Sequence, residues 1–192
     1  MSSVVTPRRG SLPNGVWGIA LVIATEGAFL GCLIASYLYL GSRRASWPPP
    51  GIPEPHVLVP LILSGVLLAT SVPMFLASFA ARRGAARAAW LLIFAALIVQ
   101  CGYLAYQVHL FLRDLDTFSP SASAYGSAYF TLLGAHHVHV LVGILLDLWL
   151  LARLTGGLTD YRVTAVRVVS WYWHFVNVIG VLITITIVSA AW

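Results

Sequence analysis

One carboxylate, Glu26, stands deep inside an apolar run, and three histidines, His136, His137 and His139, crowd inside another. A fourth, His174, lies in the stretch Trp171-Tyr172-Trp173-His174-Phe175-Val176-Asn177. Carboxylates and imidazoles hold protons, ligate metals and hold haem iron, so these residues bound the chemistry open to the chain. On a helix His136 and His139 share a face, as do His174 and Asn177, whereas His137 points elsewhere. Three readings are open. A zinc or iron site would take His136 and His139, with His174 and Glu26 as further ligands. A haem would take His136 or His139 opposite His174, although Trp171 and Trp173 leave no evident porphyrin cavity. As hydrogen-bonding links between helices, the same residues need only one another, hydroxyls and backbone carbonyls.

The elements that carry these residues follow from composition. The chain is 59% hydrophobic and 9% charged, with eleven basic and six acidic residues, and its mean hydropathy is +0.88. A soluble domain carries about 25% charged residues, so this surface belongs in lipid. About 20 apolar residues cross a bilayer core. The sequence predicts an all-α integral membrane bundle, a single transmembrane domain over 1–192, with spans near 16–40, 57–80, 88–112, 127–151 and 168–190. The proline-rich stretch from Trp47 to Pro55 reads as an extended surface linker. Every basic residue is an arginine. Alternating spans put Arg8, Arg9, Arg82, Arg83, Arg87, Arg153, Arg162 and Arg167 on one side, against Arg43, Arg44 and Arg113 on the other. The positive-inside rule then places the N-terminus in the cytoplasm and the C-terminus outside. Arginines spaced singly or in pairs anchor loops and make no nucleic-acid stripe. Cys32 and Cys101 lie in apolar runs and read as packing residues, and no cleavable signal is expected.

Hydrocarbon makes the polar residues informative. A charge near the bilayer centre costs about 3 kcal/mol on insertion scales. Glu26 lies ten residues into its span, about 15 Å deep, with no arginine at that level. It is expected to be protonated or hydrogen-bonded to another helix or subunit. His139 lies at a similar depth and His174 somewhat nearer the inner boundary, so converging faces would make one buried network. Asp147, near the inner end of the fourth span, is expected to reach interfacial water or an arginine.

Three motifs carry a family resemblance. Tyr125-Gly126-Ser127-Ala128-Tyr129-Phe130 with Gly134-Ala135-His136-His137-Val138-His139-Val140 resembles the Y-G-S-x-F-F and G-x-H-x-x-H-V of subunit III of the haem-copper terminal oxidases. Trp171-Tyr172-Trp173-His174-Phe175-Val176 is similar to that family's W-Y-W-H-F-V-D, and Thr25-Glu26-Gly27-Ala28-Phe29-Leu30 to its intramembrane glutamate motif. Gln107 falls where the family often has a polar residue. The likeness runs along essentially the whole chain and matches the short, five-span bacterial type. Four positions depart from it: Asn177 stands for an aspartate, Gly180 for a large aromatic residue, Leu110 for a glutamate and His137 for a small residue.

The resemblance implies an accessory subunit of a proton-pumping terminal oxidase in the bacterial inner membrane. It would contact catalytic subunit I and, within the complex, subunit II. It would bind no haem or copper itself, those residing in its partners, and would hold phospholipid in a cleft. Glu26, His136, His139, His174 and Asn177 become candidates for a structural, proton-linked network, and Tyr37, Trp173 and Phe175 for the lipid cleft. Alternatives are the matching subunit of a quinol oxidase or nitric oxide reductase. Outside the family stand a small membrane b-type cytochrome and a transporter using the His/Glu cluster.

Overall fold

A computed structural model describes residues 14–55 and 57–189. The regular structure of the described residues is all helical: α1 Asn14–Ser42, α2 Leu58–Ala69, α3 Ser71–Arg82, α4 Ala86–Thr117, α5 Ala124–Leu154 and α6 Asp160–Ser189. With α2 and α3 counted as one span, five are long and apolar enough to cross a membrane. Each is longer than its predicted segment, and α6 begins eight residues early, at Asp160. The expected five-span bundle is therefore present, with one span broken. Arg8 and Arg9 lie outside the described residues.

The break falls at Thr70. Pro73 has no N–H to offer the carbonyl of Ala69, and its ring crowds that carbonyl, so the helix cannot run straight through. Side-chain bonds lace the broken span to α6. Trp173 Nε1 donates to Thr70 Oγ1 at 2.7 Å, and Asn177 Nδ2 to Ser71 Oγ at 2.7 Å. Ser170 Oγ donates to the Met74 carbonyl at 3.2 Å, and Ser64 and Thr184 share a hydroxyl bond of 2.6 Å. In lipid backbone groups have no water to turn to, and beside the break the Ser170 and Thr70 hydroxyls donate to the carbonyls of Met74 and Leu67.

Helices α5 and α6 form the centre. Helix α6 packs on α1, α2, α3 and α5, and α5 also meets α1 and α4, so α1 lies across the central pair from α4. Enclosure rises along the chain, from α1, mostly facing outward, to α6. Two apolar clusters divide the interior. One holds Ile19, Met74, Ile93, Val140 and Val176; the other holds Leu30, Tyr37, Leu132, Ile179 and Ile183. Glu26, His136, His139 and Asn177 fall along the seam between them.

Small residues let the central pair close. A Cβ on Gly143 of α5 would lie 2.4 Å from Trp173 Cζ3, and one on Gly180 of α6 would lie 2.8 Å from His136 Cε1. The proline-rich linker differs from its expected form. Trp47 folds back on Tyr37 and Tyr125, with ring centroids 5.3 and 5.1 Å away, so the segment caps one end of the bundle. At the other end Arg162 reaches the carbonyls of Gly156 and Gly157 and ties down the turn after α5.

Candidate functional site

Glu26 and His139 meet. The Nε2 of His139 lies 3.1 Å from Glu26 Oε2, joining α1 to α5. Its Nδ1 lies 2.7 Å from the carbonyl of Ala135, one turn back on the same helix. A carbonyl oxygen can only accept, so Nδ1 carries a hydrogen and donates it. The remaining contact then needs one proton between Nε2 and Oε2, held either as carboxylic acid beside neutral imidazole or as carboxylate beside imidazolium. Both arrangements are electrically neutral as a pair. That neutrality is what an intramembrane site requires, because an isolated charge there is costly. Tyr172 of α6 donates its hydroxyl to the His139 backbone carbonyl at 3.1 Å, so three helices converge on one histidine. The Glu26 side chain stays 39% exposed against 13% for His139, so the carboxyl is the member open to a neighbour outside the chain.

The other predicted members do not join this pair. His174 Nε2 lies 3.2 Å from Ser170 Oγ, whose own hydrogen goes to Met74, so the imidazole donates and faces α3. The single network of Glu26, His139 and His174 is thus two separate sites. His136 and His139 do not act on one neighbour either. His136 is enclosed, its ring set against Gly180, and neither ring nitrogen has a partner among the described residues. Asn177 belongs to the α6 latch on Ser71. Among the described residues no three His, Cys, Asp or Glu side chains come together as a ligand set. The donors offered for a metal are therefore spread over different helix faces.

Two more expectations are corrected. Tyr37 and Trp173 are 0% exposed and walled by protein, so neither offers a face to lipid; Phe175 is partly buried, packed at the seam of both clusters. Asp147 reaches neither interfacial water nor an arginine, being 0% exposed between α4 and α5. The sequence reading also missed Tyr172, although it stands beside His174 in the aromatic motif. It missed as well the bond from the Tyr129 hydroxyl to Asp114 Oδ2 at 2.6 Å. A cleft of about 320 Å³ opens at that same end, lined by Leu110, Phe111, Leu133 and His137 and by the charged Arg113, Asp114 and Glu54.

Comparison with known proteins decides the family. The model for cytochrome c oxidase subunit III matches residues 13–192. The chain belongs to the cytochrome c oxidase subunit III family. A probable cytochrome c oxidase subunit 3 of Mycobacterium leprae is 33% identical over 192 residues, covering 94% of this chain and 92% of that one. One from Nocardia farcinica is 30% identical over 191 residues, covering 96% and 94%. Subunit 3 of the cytochrome bo(3) ubiquinol oxidase of Pseudomonas aeruginosa is 30% identical over 174 residues, covering 88% and 82%. The subunit III chain is accordingly a multi-pass membrane protein and an accessory part of a haem-copper oxidase, an oxidoreductase complex.

Proposed function

We propose that this subunit III docks beside catalytic subunit I of a bacterial plasma-membrane oxidase, with subunit II in the same complex, and keeps that enzyme in working form. Its N-terminus lies in the cytoplasm and its C-terminus outside. Among the described residues, six arginines gather at one end of the bundle (Arg82, Arg83, Arg87, Arg153, Arg162, Arg167) and three at the other (Arg43, Arg44, Arg113), which supports this orientation. The chain holds no haem or copper; its partners hold both.

The observation that carries the proposal is the Glu26–His139 pair. It is a proton-bearing link between the outward-facing α1 and the central α5, neutral wherever its one proton sits. A proton can pass from Oε2 to Nε2 without creating net charge in the membrane. The half-exposed carboxyl can therefore trade hydrogen bonds with a docked subunit while the bundle keeps its packing. This is how the chain supports proton uptake by its partner. Phospholipid occupies the cleft beneath Arg113: the guanidinium suits a phosphate, and Leu110, Phe111 and Leu133 suit an acyl chain.

Purification of the tagged chain in mild detergent tests the assignment. A haem-copper catalytic subunit should accompany it and carry all of the visible haem absorption, while the separated chain is colourless. A Soret band on the separated chain would reverse the reading. The Pseudomonas aeruginosa relative, named for ubiquinol, favours a second version in which the electron donor is quinol. Oxidation of cytochrome c against quinol by the same preparation separates the two.

A further inference from the structure

Four polar atoms are sealed together between α4 and α5. Asp147 and Gln100 are each 0% exposed, and Oδ1 and Oδ2 of one and Oε1 and Nε2 of the other all lack hydrogen-bond partners among the described residues. Gln100 on α4 and Asp147 on α5 belong to two helices in direct contact, and the Gln100 amide comes close enough to bear on the Asp147 carboxyl without a formed bond. The one acid–base contact among the described residues is Glu26 with His139, so no cation stands within ion-pair distance of Asp147. On the same two helices Ile93 and Leu97 of α4 and Val140 and Ile144 of α5 are buried in one apolar cluster.

An unpaired carboxylate here would carry the full cost of an isolated charge out of water, and a lone carboxamide would leave both of its polar atoms unsatisfied. One arrangement satisfies all four atoms without importing anything. A carboxylic acid and a primary carboxamide have complementary edges: the acid O–H donates to the amide oxygen, and an amide N–H donates to the acid carbonyl. We propose that Asp147 holds a resident proton and closes edge to edge with Gln100 as a neutral, doubly hydrogen-bonded pair, a proton-binding site distinct from Glu26–His139. Small rotations of the two side chains bring the edges into register. The proton at this site is stored: walls of aliphatic side chains give it no route to water. The inference stands whichever partner the subunit serves.

Infrared spectroscopy of the assembled oxidase, with its aspartates carrying carbon-13 carboxyl groups, tests it. The wild type should show the C=O stretch of a protonated acid that disappears in Asp147→Asn, a variant able to keep two amide–amide bonds and hence the fold. In Gln100→Leu the band should move to higher wavenumber as its hydrogen bonds are lost. Should Gln100→Leu fail to assemble, the exchanged pair Gln100→Glu with Asp147→Asn restores assembly and shows the acid band under glutamate labelling. In heavy water the wild-type band should keep its position after the amides of the connecting loops have exchanged. A carboxylate stretch in place of the acid band, a band indifferent to Gln100, an exchanged pair that does not assemble, or exchange as fast as at the loop amides would each overturn the proposal.

Discussion

Single atoms set the limits on this chain's polar residues. The carbonyl of Ala135 fixes the hydrogen on His139 Nδ1 and so dictates that the Glu26 contact shares one proton. Gly180 explains itself the same way: the family's large aromatic residue could not stand there, because the His136 ring fills the space a side chain would enter. Gly180→Leu should therefore lower the stability of the assembled complex by about 1–3 kcal/mol, the usual cost of overpacking, read as a fall in thermal dissociation temperature. Pairing it with His136→Ala should recover most of the loss, and no recovery would mean that the contact is not the cause. Glu26 and His139 were legible as partners because each is polar, deep and otherwise unprovided for. His174 was not separable from them by spacing alone. Tyr172 and His174 are two residues apart, about 200° around the helix, so once Tyr172 faces His139 the other must face away. Only the rotation of α6, which packing decides, tells which of the two it is.

Among the elements, the broken span is the least expected feature. Its apolar run is continuous from Val57 to Ala80, and hydropathy cannot see an interruption that leaves the run uncharged. Pro73 was the available signal. Asn177 shows why a neutral residue suffices where the family has an aspartate: its Nδ2 donates to Ser71 Oγ beside the break, a bond between two uncharged groups. Asn177→Leu should loosen α2 and α3 from α6 and cost about 1 kcal/mol, in the range of intramembrane hydrogen bonds, measured as faster amide exchange around Thr70. Unchanged exchange there would remove Asn177 from the latch. Asn177→Asp is predicted to be worse than wild type, since the buried acid must either take up a proton or stand as a charge held only by the Ser71 hydroxyl, with no cation offered by the described residues.

For the whole molecule, composition carried the architecture, because lipid imposes long apolar helices whatever their packing. What composition could not carry was enclosure: α1 faces mostly outward while α6 is walled in, a difference set by neighbours and not by hydropathy. Orientation has a direct check. With Cys32 and Cys101 replaced by alanine, Ser121→Cys should react with a membrane-impermeant maleimide on intact cells and Arg83→Cys only after lysis. The reverse pattern would invert the topology.

The claim that the rest depends on is that the shared-proton link between α1 and α5 maintains a partner enzyme in working form. The most direct measurement is the oxidase's initial turnover rate beside its lifetime during continuous turnover, in complexes carrying Glu26→Ala or Glu26→Gln. Alanine should shorten the lifetime several-fold while the initial rate changes little. Glutamine, which can still donate to His139 Nε2, should fall between alanine and wild type. Initial rate and lifetime lost in equal proportion, or neither affected, would contradict the account.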